Sequence, residues 1–227
     1  MTLDRTLPLV YSFHATGSPN RSQLVESNAT SRLTPPFPVH HNRFMRVIAG
    51  EAKGRRLRSP RGTEIRPTSD KVKEALFSIL GNRVVEARFL DLFAGTGAIG
   101  IEALSRGAAR VDFVESDRAM ADLLEKNLAA CGFQARAEIH RTDAFKFIKQ
   151  GHGPYDLIFA DPPYHAWQLK KLLPAVERGA MISPDGLLVV EHYRKIALPV
   201  PVGRLRVVRA YEYGDTVLTV YRGEATE

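Results

Sequence analysis

The chain has 227 residues, 44% hydrophobic and 25% charged, enough for one full domain with an appendage and a core that needs no covalent staples. One cysteine, Cys131, excludes an internal disulfide framework and a multi-cysteine metal site; no apolar run approaches the roughly 18 residues of a membrane span, and the Pro-broken N-terminus is no signal peptide, so a cytoplasmic enzyme or binding protein is expected. The formal charge of +7 is uneven, with +4 in residues 45–70 and only +1 in residues 71–227, which points to a phosphate-bearing partner for one short stretch, or to a solvated face.

Residues 1–44 carry scattered Ser, Asn, Thr and Pro with no lasting period, and read as a disordered extension. The His40-His41 pair within it reads as incidental. Residues 45–65 read as a basic arm of short strand-like pieces around glycines, with Arg46, Lys53, Arg55, Arg56 and Arg58. Arg66-Pro67-Thr68-Ser69-Asp70 then opens a helix with capping residue types. Val72, Ala75, Leu76, Ile79 and Leu80 form its apolar stripe, and Gly81 ends it.

From residue 88 strands and helices alternate. Strands are expected at 89–93, 111–115, 135–139, 155–160 and 186–191, with helices after each of the first four. Ser116 or Asp117 caps the helix that ends at Cys131, and Cys131 itself reads as a small packed residue. Glu191, at the end of the fifth strand, reads as structural. Leu205–Tyr213 and Thr216–Tyr221 read as a closing hairpin around Gly214-Asp215. This pattern predicts a mainly parallel, doubly wound α/β sheet with one antiparallel strand.

In such sheets ligands bind beyond the carboxyl ends of the strands. Four expected strand ends carry an acidic residue: Asp91, Glu115, Asp143 and Asp161. Gly95-Thr96-Gly97-Ala98-Ile99-Gly100 fits G-x-G-x-x-G between a strand and a helix. Glycines there let the backbone approach a ligand, and the helix start offers free N–H groups. Glu115 ends the next strand and can accept from two ribose hydroxyls. Alone, this fingerprint also fits NAD, and a tight packing turn explains the glycines too. Asp91 tips the reading, because a carboxylate beside the loop disfavours a pyrophosphate and suits an ammonium-bearing ligand. S-adenosylmethionine is such a ligand. Asp143-Ala144 could meet its adenine, or Asp143 could simply cap a helix.

Asp161-Pro162-Pro163-Tyr164 is the most specific feature. The prolines hold the backbone extended and remove two N–H donors. What remains is an acceptor pair, the Asp161 carboxylate and the Pro162 carbonyl, suited to one exocyclic amine. Tyr164 offers a ring to stack on a flat base. His165 and Trp167 either line the same pocket or pack the following helix. No ligand cluster points to a catalytic metal, and methyl transfer from a sulfonium needs none.

Asp-Pro-Pro-Tyr with Asp-Leu-Phe-Ala-Gly-Thr-Gly resembles the amino-group methyltransferases that use S-adenosylmethionine. Met-Arg-Val-Ile-Ala-Gly at 45–50, the Arg-Pro-Thr element opening residues 66–77 and Glu-Tyr-Gly-Asp-Thr at 212–216 resemble its bacterial branch that methylates guanine N2 in 16S ribosomal RNA. The resemblance covers Met45 to about Arg222, and residues 1–44 depart from it. It implies a Rossmann-like class I methyltransferase domain over 66–227, with a seven-stranded, mostly parallel sheet. It also implies Asp91, Phe93, Gly95, Thr96, Gly97, Glu115, Ser116, Asp143 and Ala144 around the donor, and Asp161, Pro162 and Tyr164 at the target amine. Arg46, Lys53, Arg55, Arg56, Arg58 and Arg66 would contact 16S rRNA or the assembling small subunit. A monomer without a membrane partner is expected. Two rival readings are an amino-methyltransferase acting on DNA adenine N6 and a nicotinamide-dependent oxidoreductase. A third is a non-catalytic RNA-binding factor, against which an intact Asp-Pro-Pro-Tyr speaks.

Overall fold

A computed structural model describes residues 45–60, 70–163, 166–199 and 202–224. The expected N-terminal extension lies outside the described residues, as do Arg66 and Tyr164.

Two strands open the described chain, β1 (Met45–Arg46) and β2 (Arg56–Leu57), paired antiparallel. Helix α1 (Asp70–Leu80) follows. Next come β3 (Arg88–Leu92), α2 (Ala98–Ser105), β4 (Arg110–Val114), α3 (Arg118–Cys131), β5 (Ala137–His140) and α4 (Ala144–Lys149). The chain continues through β6 (Tyr155–Ala160), α5 (Ala166–Arg178), β7 (Ile182–Tyr193), β8 (Leu205–Tyr213) and β9 (Thr216–Gly223).

The main sheet has seven strands in the order β5-β4-β3-β6-β7-β9-β8. Neighbours from β5 to β7 are parallel, and β9 runs antiparallel to both β7 and β8. The expected Rossmann-like sheet with one antiparallel strand is therefore present. The order reverses between β3 and β6, so their carboxyl ends border the crevice where such sheets bind ligands.

Strand alternation divides the core. Phe89, Phe113, Leu157, Phe159 and Val189 face α1, α2 and α3 on the first face. Leu90, Leu92, Val114, Ile158, Leu188 and Val190 face α4 and α5 on the second. Both faces being covered explains why β3, β4 and β6 read as nearly unbroken apolar runs.

Three details differ from expectation. The buried stripe of α1 holds Val72, Leu76 and Leu80 but also Phe77 and Lys73, so it is rotated from the stripe read by spacing. Strand β5 starts two residues later, because Gln134–Arg136 close a 3₁₀ turn first. Strand β7 begins at Ile182, four residues before the expected start. Its pairing jumps from Tyr155↔Ile182 to Leu157↔Leu187. Pro184 and the left-handed Asp185 (φ 61°) sit in that bulge, so turn-type residues lie inside a strand.

The arm is not a separate body. Val47, Ala52 and Leu57 belong to the first-face core. Its backbone is held by polar side chains of the helices. Glu102 Oε2 accepts from Ile48 N at 2.7 Å and Oε1 from Ala49 N at 2.9 Å. Ser105 Oγ accepts from Ala52 N and donates to Ala49 O. Lys73 Nζ donates to Arg46 O and lies 3.6 Å from Glu102. Lys73 and Glu102 are fully buried, and burial lowers the Lys73 pKa in spite of the carboxylate beside it.

Candidate active site

The loop after β3 is built on a buried acid. Asp91 is 2% exposed, and its Oδ2 accepts from Gly100 N at 2.9 Å. Burial pushes its pKa up to about 7, against the Gly100 hydrogen bond, and the charges of Asp161 and Glu115 push the same way. Phe93 then turns the chain with φ 65°, a left-handed conformation that costs a non-glycine residue about 1–3 kcal/mol and clusters at functional sites. Gly97 starts α2 at φ 80°, and a Cβ there would stand 2.0 Å from Leu124 Cδ1. Gly100 lets α2 close on β4, since its Cβ would meet the Phe113 ring at 2.2 Å.

Glu115 follows β4 and grips this loop. Its Oε2 accepts from Gly95 N at 2.7 Å and its Oε1 from Asp117 N at 2.7 Å. Each oxygen keeps lone-pair capacity for a hydroxyl. Ser116 is exposed, and the α3 cap is Asp117, which accepts from Met120 N. Asp143 caps α4, with Oδ1 accepting from Phe145 N and Lys146 N. Its Oδ2 takes no part in that cap. Ala144 is buried, and as first residue of α4 its N–H lies ahead of the intrahelical ladder.

Asp161 directly follows β6, beside Leu92 and Phe93 at the end of β3, since Leu92 pairs with Ala160. Burial also pushes the Asp161 pKa up, to about 7. Pro162 is buried and Pro163 exposed. The fold thus brings Asp91, the glycine loop, Glu115 and Asp161 to one end of the sheet. Asp143 follows β5, at the same end of the sheet, two strands from β3.

On the arm, the side chains of Lys53, Arg55, Arg56 and Arg58 are exposed, and Arg46 Nε lies 3.3 Å from Asp70. Sequence reasoning missed Asn127. This residue of α3 is fully buried. It accepts from Arg58 N at 2.7 Å and donates to Arg58 O at 3.1 Å and to Thr96 O at 3.0 Å. One amide therefore ties the arm to the glycine loop. The available signal was a polar residue between Leu124 and Leu128 on the apolar side of α3. Asp112, Glu138 and His140 also approach one another, each with one ligand atom within 4.8 Å of the others. Arg110 pairs with both carboxylates there and Tyr155 donates to Asp112, so both carboxylates already have partners. Cys131 is half-buried, and burial raises its thiol pKa, as a packed residue should show.

The model of the family described as Conserved hypothetical protein 95 matches residues 45–222. This chain belongs to that family. Among its relatives, Ribosomal RNA small subunit methyltransferase D of Escherichia coli is 35% identical over 181 residues, covering 80% of this chain and 91% of that protein. YlbH of Bacillus subtilis is 41% identical over 182 residues, covering 78% of this chain and 98% of YlbH. The solved structure of Escherichia coli yhhF superposes with a TM-score of 0.74 at 35% identity, over 81% of this chain and 99% of that one. The matched span of the Conserved hypothetical protein 95 family starts at the arm, so β1 and β2 belong to the family fold together with the sheet. No helix among the described residues is long and apolar enough to cross a membrane.

Proposed function

We propose that this chain, working in the cytoplasm as a monomer, transfers a methyl group from S-adenosylmethionine to the N2 amine of a guanine in 16S ribosomal RNA. The observation that carries the reading is the placement of Asp161-Pro162 one strand from an acid-lined glycine loop. The Escherichia coli relative named for small-subunit rRNA methylation supports the choice of RNA.

The residues fit the donor. Asp91 is a buried carboxylate beside the loop, where an ammonium group would be favoured and a pyrophosphate repelled. Glu115 would take the ribose hydroxyls, the Asp143 carboxylate the adenine amine, and the Ala144 N–H a ring nitrogen. Phe93, Gly95, Thr96, Gly97 and Ser116 would wall the loop. The sulfonium of the bound donor supplies an electrophilic methyl. At the target, Asp161 and the Pro162 carbonyl accept from the exocyclic amine and draw its lone pair out of conjugation. As nitrogen gains charge, the Asp161 carboxylate offsets it. With a pKa near neutrality it can also take the proton that nitrogen releases. A nicotinamide reading leaves this acceptor pair without use. Tyr164 would stack on the base, and Arg66 would join the arm in contacting RNA.

Three outcomes follow. Glu115→Ala should weaken S-adenosylmethionine binding about 10- to 100-fold, the worth of a hydrogen bond to a charged group, with RNA affinity unchanged; calorimetry on both ligands checks this. Donor affinity should also rise with pH. Below about 7 Asp91 carries a proton that a cationic ligand must displace, so affinity should climb up to about tenfold per pH unit and level off above neutrality. The sign for stability is opposite. Between 3.8 and about 7 the folded chain holds a proton at Asp91 that the unfolded chain has released, so stability falls as pH rises through that window.

The arm should supply affinity without base choice. Replacing Arg55, Arg56 and Arg58 by Gln should flatten the salt dependence of RNA binding by about 0.7–0.9 per lost phosphate contact. Donor binding should stay as before, and an unchanged slope would return the arm to a solvated face. For the reading as a whole, the direct genetic test maps N2-methylguanine in ribosomal RNA from a strain lacking the gene. One guanine should lose its methyl group, and an unaltered map would refute the assignment.

A further inference from the structure

We infer that Glu191 reads the N1–H of the target base and so makes the site choose guanine over purines that lack that proton. The inference rests on the guanine-N2 reading above and deepens it.

Phe159 pairs with Val189, and Ala160 with Val190, in parallel register. Asp161 and Glu191 are the next residues of the two chains. Asp161 directly follows the last residue of β6, while Glu191 continues in β7, paired with Leu218 of β9, so the two follow adjacent paired residues at this end of the sheet. Phe159 and Val189 both enter the first-face core. Two residues on, alternation within β7 keeps Glu191 on that same face, and Asp161, just past β6, is close enough to Asp91 on that face for its charge to act there. The alternation is fixed here, because the next residue, His192, turns to the other side and holds Thr219 Oγ1 at 2.8 Å. Asp91 lies on the first face as well, paired with Phe159 on the next strand. Glu191 is 6% exposed, at the end of the sheet where the target amine would bind.

A carboxylate accepts hydrogen bonds and donates none when ionised. Guanine offers two donors side by side along one edge, N1–H and the N2 amine. Two neighbouring carboxylates, Asp161 on the amine and Glu191 on N1–H, match that edge. Adenine presents its amine beside the N1 lone pair, which would face the buried Glu191 acceptor to acceptor. 2-Aminopurine keeps the amine at C2 but also has a bare N1. Chemistry at the amine alone would treat it like guanine, whereas a site that also reads N1–H would reject it.

The test uses single-turnover methyl transfer to small-subunit RNA carrying guanine or 2-aminopurine at the modified position. Wild type, Glu191→Gln and Glu191→Asp are compared, with donor binding measured for each. Wild type should prefer guanine by about 10- to 100-fold, the effect of one hydrogen bond to a charged group. Glu191→Gln should lose most of that preference, because its amide can turn and donate to a bare N1. Glu191→Asp should stay on the side of guanine. Equal wild-type rates on the two bases would overturn the inference, as would a Gln variant slowed equally on both, which is what a merely structural role gives. If the Gln variant does not fold, the wild-type ratio and the Asp variant still decide. No methyl transfer to the guanine N2 by wild type would instead refute the underlying reading.

Discussion

Asp161→Ala should lower the single-turnover rate of methyl transfer by about 10²–10³-fold, the loss seen when one preorganised electrostatic partner is removed. Asp161 sits at the end of β6, in a place dry enough to hold its pKa near neutrality. In the proposed role its bond to the amine would strengthen as nitrogen becomes positive, so the loss should fall on turnover more than on ground-state binding. Donor affinity should change little, because the loop and Glu115 remain. Asp161→Asn should be impaired as well. It can still present a carbonyl oxygen, but a neutral amide cannot offset the developing charge. Near-normal turnover in a folded, donor-bound Asp161→Ala would end the catalytic assignment and revive the reading as an RNA-binding factor.

The largest stability loss is expected at Glu102. Its carboxylate accepts from Ile48 N, Ala49 N and Arg106 Nε and stands beside Lys73. Glu102→Ala leaves a buried ammonium without its counter-charge and two arm amides without acceptors. Breaking a buried pair in this way costs about 3–5 kcal/mol, or a fall in Tm of roughly 6–20 °C for a chain of this length. Lys73→Met should cost less, because Glu102 keeps Arg106 and both amides, and because the lowered Lys73 pKa shows that the buried ammonium is itself unfavourable. Thermal melts of the two variants check the order, and a Lys73→Met loss exceeding that of Glu102→Ala would contradict it.

The sheet was legible because both its faces are covered. Leu90 and Leu92 serve one layer and Phe89 the other, so the strands read as apolar runs between turn residues. The glycine turn and the Asp161-Pro162 pair were legible because each is local, made of residues a few positions apart. The polar ties were not. Glu102 meets Ala49 across 53 residues and Asn127 meets Arg58 across 69. In the sequence such residues interrupt an apolar helix face, and only the fold supplies their partners. The start of β7 was hidden for a different reason. Pro184 and Asp185 are turn-type residues, and a bulge absorbs them within the strand.

The most direct measurement of the central claim incubates the full chain with methyl-labelled S-adenosylmethionine and unmodified small-subunit RNA, free or in assembled particles, and identifies the labelled nucleoside after digestion. The predicted result is N2-methylguanosine as the labelled product, lost in Asp161→Ala. Label in N6-methyladenosine, or no label in either substrate while the donor is bound, would contradict the account.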